Sequence, residues 1–122
     1  MIQDAILDVA LTEVLTYADR VVLCSQIPTS YAEATAAYLL AHKDAPVIGS
    51  PEAKAGGGRK IMISGITDGV VDTAGTATHY ALVDVSESRL MVARALGANK
   101  ALVTGSPWTM AAQDLLDLEE SV

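Results

Sequence analysis

Phenylalanine is absent from this chain of 122 residues, and one Trp and four Tyr are its only aromatic residues. A core without large rings must be built from Ala, Val, Leu and Ile. Such a core is thin, and burial against partner subunits would add to it. Cysteine occurs once, so no internal disulfide can form. Within Arg20-Val21-Val22-Leu23-Cys24 the thiol reads as a small buried hydrophobe. A disulfide between chains or a reactive thiol are the alternatives. Cations are scarce, with 8 Lys and Arg against 15 Asp and Glu for a net charge of −7. Direct nucleic-acid binding depends on cations that neutralise phosphates, and this balance argues against it. No apolar run reaches the roughly 18 residues that a membrane-spanning helix needs. Asp4 and Asp8 stand where a signal peptide would carry Lys or Arg, which makes the cytoplasm the expected place of synthesis.

What is present reads as strands. Gly75-Thr76-Ala77-Thr78-His79-Tyr80-Ala81-Leu82-Val83-Asp84-Val85 is the stretch the others can be laid against. Thr76, Thr78, Tyr80 and Leu82 point to one side, and Ala77, His79, Ala81 and Val83 to the other. Neither face is strongly charged, which predicts a central strand covered on both sides. Residues 4–17 predict an amphipathic helix. Leu7, Leu11, Val14 and Ala18 form its stripe, and Ile6, Val9, Ala10 and Tyr17 widen it. Asp4 is placed to cap this helix, and Asp8 suits the positive end of its dipole.

Val21 to Ser25 is β-branched enough for a strand. Ser30 and Glu33 have capping-box spacing, so a helical turn is expected at 30–34 and a strand near 36–42. Residues 43–58 read as a loop, unusually long for a compact domain. Strand patterns follow at 59–66, with Ile61 and Ile63 opposite Met62 and Ser64, and at 70–73 after a turn signal at Asp68-Gly69. Ser86-Glu87-Ser88 predicts a hairpin into a strand at 89–95. Gly97-Ala98-Asn99 predicts another turn, with short strands at 101–104 and 108–111 beyond it. The segment from Gln113 is a short helix or an edge strand. Short strands at about ten-residue spacing indicate a mainly β chain, a small antiparallel β-sandwich or barrel with an N-terminal amphipathic helix. The expected layout is a single domain: helix 4–17, β-sandwich 19–112 and acidic C-terminal tail 113–122.

Motifs for chemistry are weak. Gly56-Gly57-Gly58-Arg59-Lys60 has the glycines and cations of an anion-binding nest. A P-loop, however, needs Gly-x4-Gly-Lys-Ser/Thr between a strand and a helix, and here a strand follows. The plainer reading is a loop whose cations pair with acids, in this chain or on a neighbour. His79 and His42 lack a nucleophile elbow, and two His with one Cys make no zinc-ligand spacing. His79 reads more simply as a sheet histidine bonded to its surroundings. No catalytic residue, cofactor or metal is expected. Asp114, Asp117, Glu119 and Glu120 crowd the last nine residues, where they suit a basic partner or simply a solvated terminus.

Four pieces in order carry a family resemblance. They are 18–25 (Ala-Asp-Arg-Val-Val-Leu-Cys-Ser) with 28–34 (Pro-Thr-Ser-Tyr-Ala-Glu-Ala), then Gly58-Arg59-Lys60, then 74–83 (Ala-Gly-Thr-Ala-Thr-His-Tyr-Ala-Leu-Val), then Leu102-Val103-Thr104-Gly105 with Pro107-Trp108. Together they resemble small structural proteins of tailed bacteriophages and prophages, many of which decorate the capsid shell. The resemblance implies a mainly β, non-enzymatic virion component at the capsid surface. Its partners would be the major capsid protein, copies of itself, or both. A tail or neck component is the alternative in the same setting, and a small enzyme or ligand-binding β domain using His79 is one of another class. The candidate partner contacts are Gly56, Gly57, Gly58, Arg59, Lys60, Asp114, Asp117, Glu119 and Glu120, with the helix face left over after packing.

Overall fold

The structure, a computed structural model, describes residues 4–54 and 57–118, with the side chains of Asp4 and of 114–118 outside that description. The chain is mainly β with an N-terminal helix, as expected, and its strands pair antiparallel. In order they are α1 (Asp4–Tyr17), β1 (Arg20–Cys24), a π-helical turn (Glu33–Ala37), β2 (Leu39–Asp44), β3 (Glu52–Ala53), β4 (Arg59–Ile63), β5 (Ile66–Val71), β6 (Gly75–Asp84), β7 (Arg89–Leu102), β8 (Trp108–Met110) and β9 (Gln113–Leu118). Contacts gather these into two compact units. One holds residues 1–17, 47–65 and 111–122, and the other holds 18–46 and 66–110.

The larger unit is a six-stranded sheet in the order β7-β6-β1-β2-β5-β8. β1 lies in its middle, paired to β6 from Arg20↔Val83 to Cys24↔His79 and to β2 from Arg20↔Asp44 to Cys24↔Leu39. Val21 to Cys24 are buried on both faces, and so is β6 from Tyr80 to Asp84. Gly75 and Thr76, at the other end of β6, are exposed, so the two-sided cover expected of this strand holds for its second half. On one face Val22, Cys24, Ala81 and Val83 form a cluster roofed by Ala34 of the π-helical turn, with Tyr31, Tyr38, Leu39, Leu90 and Ala93 around it.

That turn closes through local polar groups. Ser30 Oγ accepts the Glu33 amide at 3.2 Å, one half of the expected capping box. The other half is displaced by one residue, because the Glu33 carboxylate takes the Thr29 amide and hydroxyl at 2.7 and 2.8 Å. These two donors, the amide first, hold the Glu33 carboxyl below its ordinary range. The winding continues to the Tyr38 amide, which donates to the Glu33 carbonyl, so the following strand begins at Leu39 rather than near 36.

Two turn signals lie within strands. Asp68-Gly69 lies inside β5, which runs without reversal past a bulge against β8. Gly97-Ala98-Asn99 lies inside β7, a single 14-residue strand. Ala77 pairs with Lys100 and His79 with Ala95, so the extra residues of β7 are absorbed as a bulge. The expected loop 43–58 is shorter than it looked. β2 runs to Asp44, Ile48 bridges Ile63, and Glu52–Ala53 pairs with Lys60 and Arg59.

The smaller unit is a three-stranded sheet in the order β3-β4-β9 with α1 packed on β4. Ile61 and Ile63 are buried as the alternation required, and the acidic tail enters as the edge strand β9. The helix departs from expectation. Leu7 and Leu11 are buried and Val14 is half-buried, but Ile6, Val9, Ala10 and Tyr17 lie open rather than widening the buried stripe. Ile6, Ala10, Glu13 and Tyr17 follow i, i+4, i+7 and i+11, so they form a second stripe along one side of the helix. A three-stranded sheet covers only the narrow stripe that faces it.

Candidate functional site

The glycine-rich segment forms the loop of the β3–β4 hairpin. Gly57 and Gly58 both have positive φ, 105° and 91°, which glycine adopts without strain. The Lys54 amide donates to the Gly58 carbonyl, and the Gly57 amide donates to Lys54. The cations that follow are engaged within the smaller unit. Arg59 grips Asp8 with two bonds, at 2.7 and 3.3 Å, and reaches the Pro51 carbonyl. Lys60 lies 3.8 Å from Glu52. In register Lys60 stands opposite Asp117, and Met62 opposite Asp114. The loop therefore takes the plainer form, with cations balanced by acids of this chain. Gly56, Glu119 and Glu120 lie outside the described residues.

His79 is half-buried in β6, and its Nδ1 lies 2.8 Å from Thr78 Oγ1. The Thr78 hydroxyl donates its one proton to the Ser25 carbonyl at 2.9 Å, so it accepts from Nδ1–H. Thr78 thus ties β6 to the residue after β1, and the His79 ring braces that hydroxyl, bonded to its surroundings as a sheet histidine is. His42 has a partner that spacing did not reveal, since Asp72 is 30 residues away and its carboxylate stands 2.6 Å from His42 Nδ1. The pair is brought together by the β2–β5 pairing, in which His42 faces Val70. Nearby, an open groove of about 490 Å³ runs between β5 and the turn at 103–107, lined by Thr67, Gly69, Val70, Gly105 and Pro107 among others. Among the described residues, no three His, Cys, Asp or Glu side chains gather as a metal site.

Two polar groups are structural. Asp84 is buried at the β6–β7 hairpin, where it accepts from Ser86 Oγ at 2.7 Å, the Glu87 amide and Arg89. These bonds, Ser86 foremost, hold its carboxyl below the ordinary range. Cys24 is buried beneath the π-helical turn, its thiol facing the Ala34 carbonyl at 3.7 Å. Burial pushes that thiol up to about 11. The folded state therefore holds the proton more tightly than the unfolded one. The contribution to stability is complete below pH about 9 and fades as the pH rises through about 11. At pH 8 the native thiol should resist a disulfide reagent for hours and react at once in denaturant. Rapid labelling of the native protein would show that the thiol is accessible.

Large apolar side chains also lie open on the uncovered side of α1, around Glu13. Ile6 is 61% exposed, Val9 71% and Tyr17 47%. Sequence periodicity detected all three as apolar but not which side the sheet would cover. Comparison with known proteins finds no matching family model, no matching curated protein and no matching solved structure.

Proposed function

We propose that this chain is a virion structural protein of a tailed phage, seated on the capsid shell as a decoration or cement subunit. The observation that carries this reading is the open side of α1, where Ile6, Val9 and Tyr17 surround Glu13 on a helix whose Leu7 and Leu11 stripe packs on β4. Large apolar side chains held open along one helix side suit a protein partner, and covering the exposed part of each contributes roughly 1–2 kcal/mol. The sequence resemblance supplies the class of partner, the major capsid protein. The mechanism is binding: the subunit adds apolar contacts across the seams between capsid subunits and so resists internal pressure. With its cations occupied by Asp8 and Glu52, the glycine-rich loop has a supporting part, shaping the sheet edge beside the helix.

Cosedimentation with empty phage shells tests this. About one copy per capsid subunit, or about one per three, is expected from a lattice protein. Ile6→Asp with Val9→Asp should abolish the binding and leave the circular dichroism unchanged, because both residues are exposed. Binding to tails instead of shells would transfer the chain to the tail or neck reading. Binding to neither would end the virion proposal.

A further inference from the structure

We propose that copies of this chain join head to tail through their sheet edges, with β7 of one copy pairing antiparallel to β9 of the next. The first observation is the pattern of β7. Edge strands of antiparallel sheets commonly keep one polar face. β7 ends the six-stranded sheet, yet Leu90, Met91, Val92 and Ala93 are apolar and half-buried on both of its faces. That is the pattern of an internal strand placed at an edge. Its pairing with β6 is regular from Val92 to Ala95, between a bulge at Met91 and the one at 96–99.

The second observation is charge. β7 contains Arg89, Arg94 and Lys100 and no acid, in a chain whose net charge is −7. β9 contains Asp114 and Asp117 and no cation, and it ends the three-stranded sheet. Like charges oppose β7 pairing with β7, or β9 with β9, whereas β7 and β9 complement one another. An antiparallel register that sets Arg94 opposite Asp114 brings Val92 to the apolar Leu115-Leu116 segment, where β9 carries a bulge of its own. Such a contact joins different patches on the two copies, so it closes a ring of two or more copies or runs on as a filament. The proposal concerns self-association and stands apart from the shell reading, because it is tested on the purified chain alone.

Sedimentation velocity over a range of concentrations is the test. The wild type should rise above its monomer mass of 12.7 kDa as concentration increases. Raising salt from about 0.1 to 1 M should drive it back, since the screening length shrinks about threefold. R94E alone and D114K alone should each raise the concentration for half-association about five- to tenfold. An equimolar mixture of the two should associate like the wild type, because each changed edge meets the other's changed edge with the charges exchanged. The single chain carrying both changes should recover in the same way. Wild type that stays monomeric, association indifferent to salt, or a mixture no better than its components would each overturn the proposal. So would R94E weakening association while D114K leaves it intact, because the contact would then not involve β9.

Discussion

Gly69→Ala should cost about 1–3 kcal/mol in the wild-type chain and close to nothing once Trp108 is Ala. The two residues face each other across the β5–β8 pair, and a Cβ added at Gly69 would land within the indole of Trp108. The indole has little room to move away. It is 3% exposed, and its Nε1–H donates to the His42 carbonyl at 3.0 Å. Trp108→Ala alone should cost about 3–5 kcal/mol through lost burial, and it also removes that donor. Urea melts of the two single variants and the double variant form a complete cycle. A Gly69→Ala penalty that persists in the Trp108→Ala background would show that the clash is not its origin. The cycle also bears on the turn signal at Asp68-Gly69. A glycine inside a strand marks a close approach of another chain segment as readily as a reversal, and here the approaching group is an indole.

Leu11→Ala should cost about 2.5–5 kcal/mol, whereas Ile6→Ala should stay within about 0.5 kcal/mol. Leu11 is 0% exposed and Ile6 is 61% exposed, although both are large aliphatic residues on one helix. A 14-residue helix is marginal by itself in water, so α1 depends on its packing against β4 and on the Asp8–Arg59 pair. Loss of Leu11 should lower the midpoint of unfolding and expose the helix amides to hydrogen exchange. Equal losses from both substitutions would mean that both stripes are covered in the isolated protein, which would remove the open apolar face on which shell binding rests.

Much of this architecture could be read along the chain because it depends on local periodicity. Alternation at Ile61, Met62 and Ile63 located β4 and its buried face. The β-branched run before Cys24 located β1, and Ser86-Glu87-Ser88 located the hairpin between β6 and β7. The spacing of Ser30 and Glu33 located the π-helical turn, although the carboxylate chose the Thr29 amide. Cys24 was legible as a buried residue from its neighbours alone. The cations Arg59 and Lys60 were legible as charges seeking acids, but Asp8 is 51 positions from Arg59, and no local pattern singles it out.

What the sequence by itself determined is therefore the class of the chain and most of its strands, because backbone preference and side-chain alternation act over a few residues. Tertiary structure alone decided that Gly97-Ala98-Asn99 would be a bulge in one long strand, since the same residues serve a reversal or a bulge until a partner strand sets the register. It decided that His42 would meet Asp72, a pairing made by two strands brought side by side. It also decided which stripe of α1 would be covered. Ile6, Ala10 and Tyr17 are as apolar as Leu7 and Leu11, and a helix shows its sheet only the face that the sheet is wide enough to bury.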